Sequence, residues 1–204
     1  MAVYFLVALI AYLIGSISFS VIFTTKIAGF DVREKGSKNA GSTNVLRTAG
    51  KGIAALTLVC DILKGVVAVL VAIGIGKLDN CEHIEYLVQI AGLMVVLGHT
   101  FPVFFKFKGG KGVATSLGII LLINWQIGLI CLVFALVLIV LTRMVSLGSV
   151  AAAILFPVLT LFITENYIVA GDYRIFGILL GVFVCFNHRS NIGRLIKGAE
   201  NRLF

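Results

Sequence analysis

The stretch Gly112-Val-Ala-Thr-Ser-Leu-Gly-Ile-Ile-Leu-Leu-Ile-Asn124-Trp125-Gln126-Ile-Gly-Leu-Ile-Cys-Leu-Val-Phe-Ala-Leu-Val-Leu-Ile-Val-Leu-Thr142 decides the fold. It is 31 residues without a charged side chain, bounded by Lys111 and Arg143. A helix crosses ~30 Å of hydrocarbon in ~20 residues, so this run is too long for one comfortable crossing and too short for two full ones. The cations elsewhere in the chain settle the choice. With Asn124-Trp125-Gln126 as the tip of a helical hairpin, 14 Lys/Arg fall on one side of the membrane and two, Lys77 and Arg174, on the other. A single crossing gives 10 and six, Lys64 being intramembrane in both counts. Cytoplasmic loops collect Lys and Arg, so the hairpin is the better reading. It predicts an all-α, polytopic integral membrane bundle of seven transmembrane helices, N-terminus outside and C-terminus cytoplasmic.

Composition agrees with that class. The 204 residues are 60% hydrophobic with a mean hydropathy of +1.10, far more apolar surface than a soluble core of this size buries. The formal charge of +8 sits between apolar runs, as topology signals do, and not on a basic soluble face of the kind that binds nucleic acid. Cys60, Cys81, Cys131 and Cys185 lack metal-ligand spacing and read as free thiols. The first apolar run has its positive charges after it, which fits an uncleaved span.

Outward from the hairpin, residues 1–25 carry no charge and make the first span. Lys26 to Lys51 is a polar loop. The next run holds only Asp61 and Lys64, three apart on one helix face and expected to pair. An acidic turn with Asp79, Glu82 and Glu85 precedes a third span, Tyr86 to Phe105. Val145 to Thr164 is the sixth, with Pro157 as a tolerated kink. Ile175 to His188 has 14 residues and reaches only ~21 Å, yet it must cross to keep the basic tail with the other cations. The chain reads as a single domain, 1–204.

Four polar stretches then share the cytoplasmic face: 33–51, 99–112, 143–149 and 187–200. In the second, His99 is followed by Lys106, Lys108 and Lys111 and by Gly109, Gly110 and Gly112. Glycines let backbone N–H groups approach a ligand, and an apolar run from Val113 starts a helix whose positive end faces the same place. This suggests a phosphate-binding loop, with Phe101, Phe104, Phe105 and Phe107 as an apolar wall. The plainer reading is a basic loop anchored by interfacial aromatics. His99 and His188 lie at cytoplasmic helix ends, and His83 lies in an outer turn. Metal-ligand spacings and the Gly-x-Ser-x-Gly nucleophile turn do not occur in the sequence, so no metal or cofactor is expected. Cations, hydroxyls, amides and glycine backbone suit phosphate binding better than a covalent intermediate.

Three motifs resemble the bacterial acyl-phosphate:glycerol-3-phosphate acyltransferases, the PlsY family. They are Gly36-Ser37-Lys38-Asn39-Ala40-Gly41-Ser42-Thr43-Asn44 with Arg47, Gly98-His99-Thr100-Phe101-Pro102 through Gly109-Gly110-Lys111-Gly112, and His188-Arg189-Ser190-Asn191-Ile192-Gly193-Arg194 with Gly198 and Glu200. Gly15-Ser16-Ile17 and Arg143-Met-Val-Ser146-Leu-Gly-Ser149 are also similar, while Ser18 stands where the family's proline is expected. The resemblance implies transfer of a fatty acyl group from acyl phosphate to glycerol 3-phosphate in the bacterial inner membrane. The product is lysophosphatidic acid, in the first step of phospholipid biosynthesis, with no acyl-CoA or acyl-carrier-protein donor. No nucleic acid and no obligatory protein partner are expected.

On this reading Ser37, Arg47, His99, Lys111, His188 and Asn191 carry the chemistry. Asn39, Asn44, Gly109, Gly110, Gly112, Ser146, Ser149, Arg189 and Glu200 bind substrate. Lys111 and the glycine N–H groups would hold the phosphate of the acyl donor. Arg47, Ser37, Asn39, His188 and Asn191 would hold glycerol 3-phosphate, Arg being suited to bidentate contact. The proton acceptor is His99, His188 or the substrate's own phosphate, in which order the phosphate comes first. Asn44 has an alternative duty as a turn former. The rival class is a small anion transporter with a basic vestibule, against which the outer loops show no matching basic segment.

Overall fold

The computed structural model describes residues 1–203, and every regular element among them is helical. The helices group into two compact units, Met1–Ile119 and the chain from Ile120 onward.

In the first unit, α1 (Ala2–Gly15) stops at Ser16 and the chain resumes as α2 (Phe19–Phe23), which widens into a π turn over Thr24–Ala28. Sequence predicts one span here, and Ala2–Ala28 is one apolar stretch long enough to cross, with a break inside it. The Lys64 Nζ donates to Gly15 O at 3.1 Å and Ile17 O at 2.9 Å, satisfying carbonyls that the broken helix leaves beside the interruption. Ser18 starts α2 at φ −91° and ψ 88°, so the kink forms without proline. Lys64 belongs to α4 (Lys51–Leu78), whose 28 residues reach ~42 Å.

α1 lies against α4 and α5 (Ile84–Thr100). A Cβ on Gly15 would overlap the Val95 carbonyl, and one on Gly98 the Tyr12 carbonyl, so these backbones meet at small residues, as membrane helices do. Gly65 of α4 meets the Thr115 carbonyl of α6 (Val113–Ile123) in the same way. The polar stretch after Lys26 is more than a loop. It contains a 3₁₀ turn, Val32–Glu34, and α3 (Ser42–Ala49), eight residues too short to declare a period. Val21, Val32, Ala40, Val45 and Ala54 form a small core beneath it.

The second unit begins in the last turn of α6. Asn124 separates α6 from α7 (Trp125–Thr142), its Oδ1 accepting from Gln126 N and Ile127 N, both at 3.1 Å. Its Nδ2 donates to Glu165 O at 2.8 Å. The helix therefore breaks at the hairpin tip predicted from charge counting. In α8 (Val145–Phe162), Pro157 cannot donate to Ala153 O; a Cβ on Gly181 of α9 (Arg174–Asn187) would sit 2.6 Å from that freed oxygen. After a 66° bend the chain continues as α10 (Arg189–Ile196). Leu129, Ile130, Val133, Phe134 and Val137 remain exposed on α7, as suits a lipid-facing helix.

Five stretches are long and apolar enough to cross a membrane, and α9 with α10 is a sixth if the bent pair counts as one span. The remaining segment, α6, has 11 residues and reaches ~16 Å.

Candidate active site

α5 ends at Thr100, and the loop beyond it turns back onto the end of the same helix. Lys106 and Phe107 both adopt φ 57° to make the reversal. Gly109 N then donates to Thr100 O and Gly110 N to His99 O, each at 3.1 Å. A Cβ on Gly109 would overlap the His99 carbonyl oxygen, and one on Gly110 the His99 Nε2; only glycine admits this approach. The expectation that Gly109 and Gly110 offer their N–H groups to a ligand is thereby corrected, since α5 already takes both. Gly112, at φ 89°, leads directly into α6. The first-turn amides of α6 have no intrahelical acceptor, as at any helix start, so the positive end stands beside Gly112 and the half-buried Lys111.

Two of the motifs meet within the first unit. Ala40 N donates to Gly109 O at 3.4 Å, and Ser20 Oγ donates to Ala40 O at 2.9 Å. Arg33 clamps the junction: it pairs with Asp31 at 2.6 Å and donates to Phe105 O at 2.7 Å and Lys108 O at 3.3 Å. The Arg33 guanidinium hydrogen-bonded to Asp31 holds that carboxyl below its usual pKa. Phe105 is half-buried under Arg33, while Phe101, Phe104 and Phe107 are exposed.

Ser37 and Arg47 are exposed and Asn39 is half-buried, so all three reach the surface of this region. Asn44 differs. It is 2% exposed and its amide serves the backbone, accepting from Ser37 N at 3.0 Å and donating to Val32 O, Lys35 O and Asn39 O at 3.0, 3.1 and 3.0 Å. It shapes the loop that presents Ser37 and Asn39.

His99 lies beneath the glycine segment with neighbours that sequence spacing does not reveal. Asp61 Oδ1 is 2.9 Å from Lys64 Nζ and 3.5 Å from His99 Nδ1. The expected pairing of Asp61 with Lys64 is present, and His99 Nδ1 stands near the same oxygen without a hydrogen bond to it.

In the second unit, His188 is buried, and its Nδ1 donates to Val184 O at 2.8 Å; a carbonyl only accepts, so that nitrogen carries a proton. Glu200 accepts from Asn191 Nδ2 at 2.7 Å and Arg194 Nε at 2.8 Å. Burial works to raise its pKa, but the bonds from Asn191 and Arg194 outweigh burial and hold the carboxyl below its usual range. Ser146 and Ser149 are buried at the start of α8, where Ser149 Oγ donates to Val145 O at 2.9 Å. Arg189 is exposed and its guanidinium stacks 4.6 Å from the Phe186 ring centroid. The predicted residues thus form two groups: Ser37, Asn39, Asn44, Arg47, His99, Gly109, Gly110, Lys111 and Gly112 in one unit, the remainder in the other. Among the described residues no cluster of three or more His, Cys, Asp or Glu side chains is placed to hold a metal.

Residues 5–198 match the family model described as glycerol-3-phosphate acyltransferase. The chain belongs to that family. Glycerol-3-phosphate acyltransferases of Thermoanaerobacter sp. (strain X514) and Clostridioides difficile (strain 630) are 44% and 42% identical to it. The alignments cover 97% and 98% of this chain and 94% and 95% of theirs. Among solved structures, PlsY (YgiH), an integral membrane glycerol 3-phosphate acyltransferase, is similar at 35% identity in two forms. The glycerol 3-phosphate form gives a TM-score of 0.86 and the lysophosphatidic acid form 0.84, with 98% of this chain and 94% of that chain covered in each. For a glycerol-3-phosphate acyltransferase, the side chains gathered here are cations, amides and hydroxyls, with Asp61 as the carboxylate nearest His99.

Proposed function

We propose that this acyltransferase moves a fatty acyl group from acyl phosphate to a hydroxyl of glycerol 3-phosphate, releasing lysophosphatidic acid and phosphate without an acyl-enzyme. The observation that carries the reading is the Gly109–Gly112 segment, folded onto α5 so that Lys111 and Gly112 adjoin the positive end of α6. That cluster suits the phosphate of the acyl donor and stabilises the charge it carries away. Arg47, Ser37 and Asn39 of the first unit are assigned to glycerol 3-phosphate; in the second unit Glu200 holds Asn191. Ser146 and Ser149 remain candidates for polar contacts to substrate. The substrate phosphate comes first as proton acceptor, with His99 and His188 as the alternatives. The neighbour structure named for its glycerol 3-phosphate form supports the acceptor, and the one named for lysophosphatidic acid the product.

The proposed setting is the bacterial inner membrane, with seven membrane segments counting α6, the N-terminus outside and the three motifs cytoplasmic. Holding both reactants in line supplies on the order of 7 kcal/mol toward the barrier, enough for an activated donor without a covalent step. The test is reconstitution in liposomes with acyl phosphate and glycerol 3-phosphate. Lysophosphatidic acid in proportion to protein supports the enzyme; accumulation of labelled phosphate inside the liposomes without that product supports an anion transporter and rejects it.

A further inference from the structure

We infer that the break in the first span, residues 15–20, is the fixture that sets the spacing of two substrate-binding segments, with Ser16 and Ser20 as its positioning residues. The inference rests on the proposed reaction, in which Ser37, Asn39 and Arg47 take glycerol 3-phosphate and Lys111 takes the acyl donor. All the contacts involved lie within the first unit. Tyr12 and Ser16, four apart on one face of α1, grip the chain on both sides of the buried Pro102. The Tyr12 hydroxyl donates to Phe101 O at 2.8 Å, and Val103 N donates to Ser16 Oγ at 3.3 Å. From Pro102 the loop runs on to Lys111. Ser20 serves the other segment: its Oγ donates to Ala40 O at 2.9 Å, beside Asn39. A carbonyl only accepts, so Ser20 gives its proton there, and the Ser18 hydroxyl, 3.2 Å away, donates to Ser20 Oγ in turn. Ser16, Ser18 and Ser20 are 0%, 6% and 1% exposed, so water does not replace a partner lost at any of them.

The fixture is itself held. A helix running on through Ile17 would give the carbonyls of Gly15 and Ile17 to its own later N–H groups; here the Lys64 ammonium takes both, at 3.1 and 2.9 Å. That cation also stands at the negative end of α1. Behind the break, a Cβ on Gly98 would overlap the Tyr12 carbonyl, so the end of α5 is seated directly against it. Ala40 N then donates to Gly109 O at 3.4 Å and joins the two segments to each other. The attachments at Pro102 and Ala40, with this cross-link, close a ring through residues 15–20. Its dimensions set how far the glycerol 3-phosphate residues lie from Lys111.

The test uses two single variants. Ser20→Ala releases Ala40 O and leaves Ser16 in place, and Ser16→Ala does the reverse. Each loses one buried hydrogen bond, and both are expected to fold. Ser20→Ala is expected to raise KM for glycerol 3-phosphate ~5- to 10-fold with KM for acyl phosphate unchanged. Ser16→Ala is expected to raise KM for acyl phosphate by the same factor with KM for glycerol 3-phosphate unchanged. Turnover falls in both, because aligned reactants tolerate little displacement. Ser20→Cys, close to serine in size with a weak donor, is expected to fall between wild type and Ser20→Ala. Lost stability alone lowers the amount of active enzyme and moves neither KM. Unchanged constants in both alanine variants, or both constants raised alike in each, overturn the inference while wild-type turnover leaves the reaction standing. A wild-type protein that forms no lysophosphatidic acid removes the reaction and the inference with it.

Discussion

Replacing Asn44 by alanine distinguishes a residue that builds the site from one that touches the substrate. Its amide oxygen accepts one backbone N–H, from Ser37, and its nitrogen faces the carbonyls of Val32, Lys35 and Asn39. The nitrogen has two hydrogens for three carbonyls, so two donated bonds and one accepted bond count in full. At ~1 kcal/mol net for each, the loss is about 3 kcal/mol. At ~2–4 °C per kcal/mol for a chain of this size, that lowers Tm by ~6–12 °C. Asn44→Asp keeps an acceptor for Ser37 but sets a carboxylate against three carbonyl oxygens, and is expected to cost at least as much. Thermal unfolding in detergent, paired with KM for glycerol 3-phosphate, reads both effects. An unchanged Tm with a raised KM would refute the reasoning and make Asn44 a ligand contact.

Lys111→Ala is expected to cut turnover by ~100-fold or more while leaving Tm within a few degrees, since it removes a charge opposite the departing phosphate; steady-state kinetics and unfolding measure the two. For Glu200 the folded pKa is depressed, so its contribution is present above the unfolded value of ~4.3 and is lost as pH falls through the lower folded value. Protease resistance of residues 189–203 should accordingly persist at neutral pH and vanish only in acid, whereas Glu200→Gln should loosen this segment already at pH 7. Arg33→Ala removes the clamp on Phe105 O and Lys108 O, and faster proteolysis between Val103 and Lys108 with lower turnover is expected.

The membrane class and the helix break at Asn124 were legible because hydropathy and helix capping are local properties of the chain. So was the pairing of Asp61 with Lys64, which needs only three-residue spacing on a helix. What escaped depends on contacts far apart in sequence. His99 meets Asp61 across 38 positions, and nothing in either motif signals the other. The break after Gly15 follows from Lys64, on a different helix. The glycines at 109 and 110 correctly signalled a close approach, but sequence cannot say to what, and the structure brings them onto the end of α5. α3 went unseen because eight residues carry too few turns to establish a period.

Mass spectrometry of the purified protein given acyl phosphate alone tests direct transfer most sharply. The protein mass should stay unchanged, with no burst of phosphate, until glycerol 3-phosphate is added; phosphate and lysophosphatidic acid should then appear in equal amounts. A protein heavier by one acyl group, or a phosphate burst stoichiometric with enzyme before the acceptor arrives, would contradict the account.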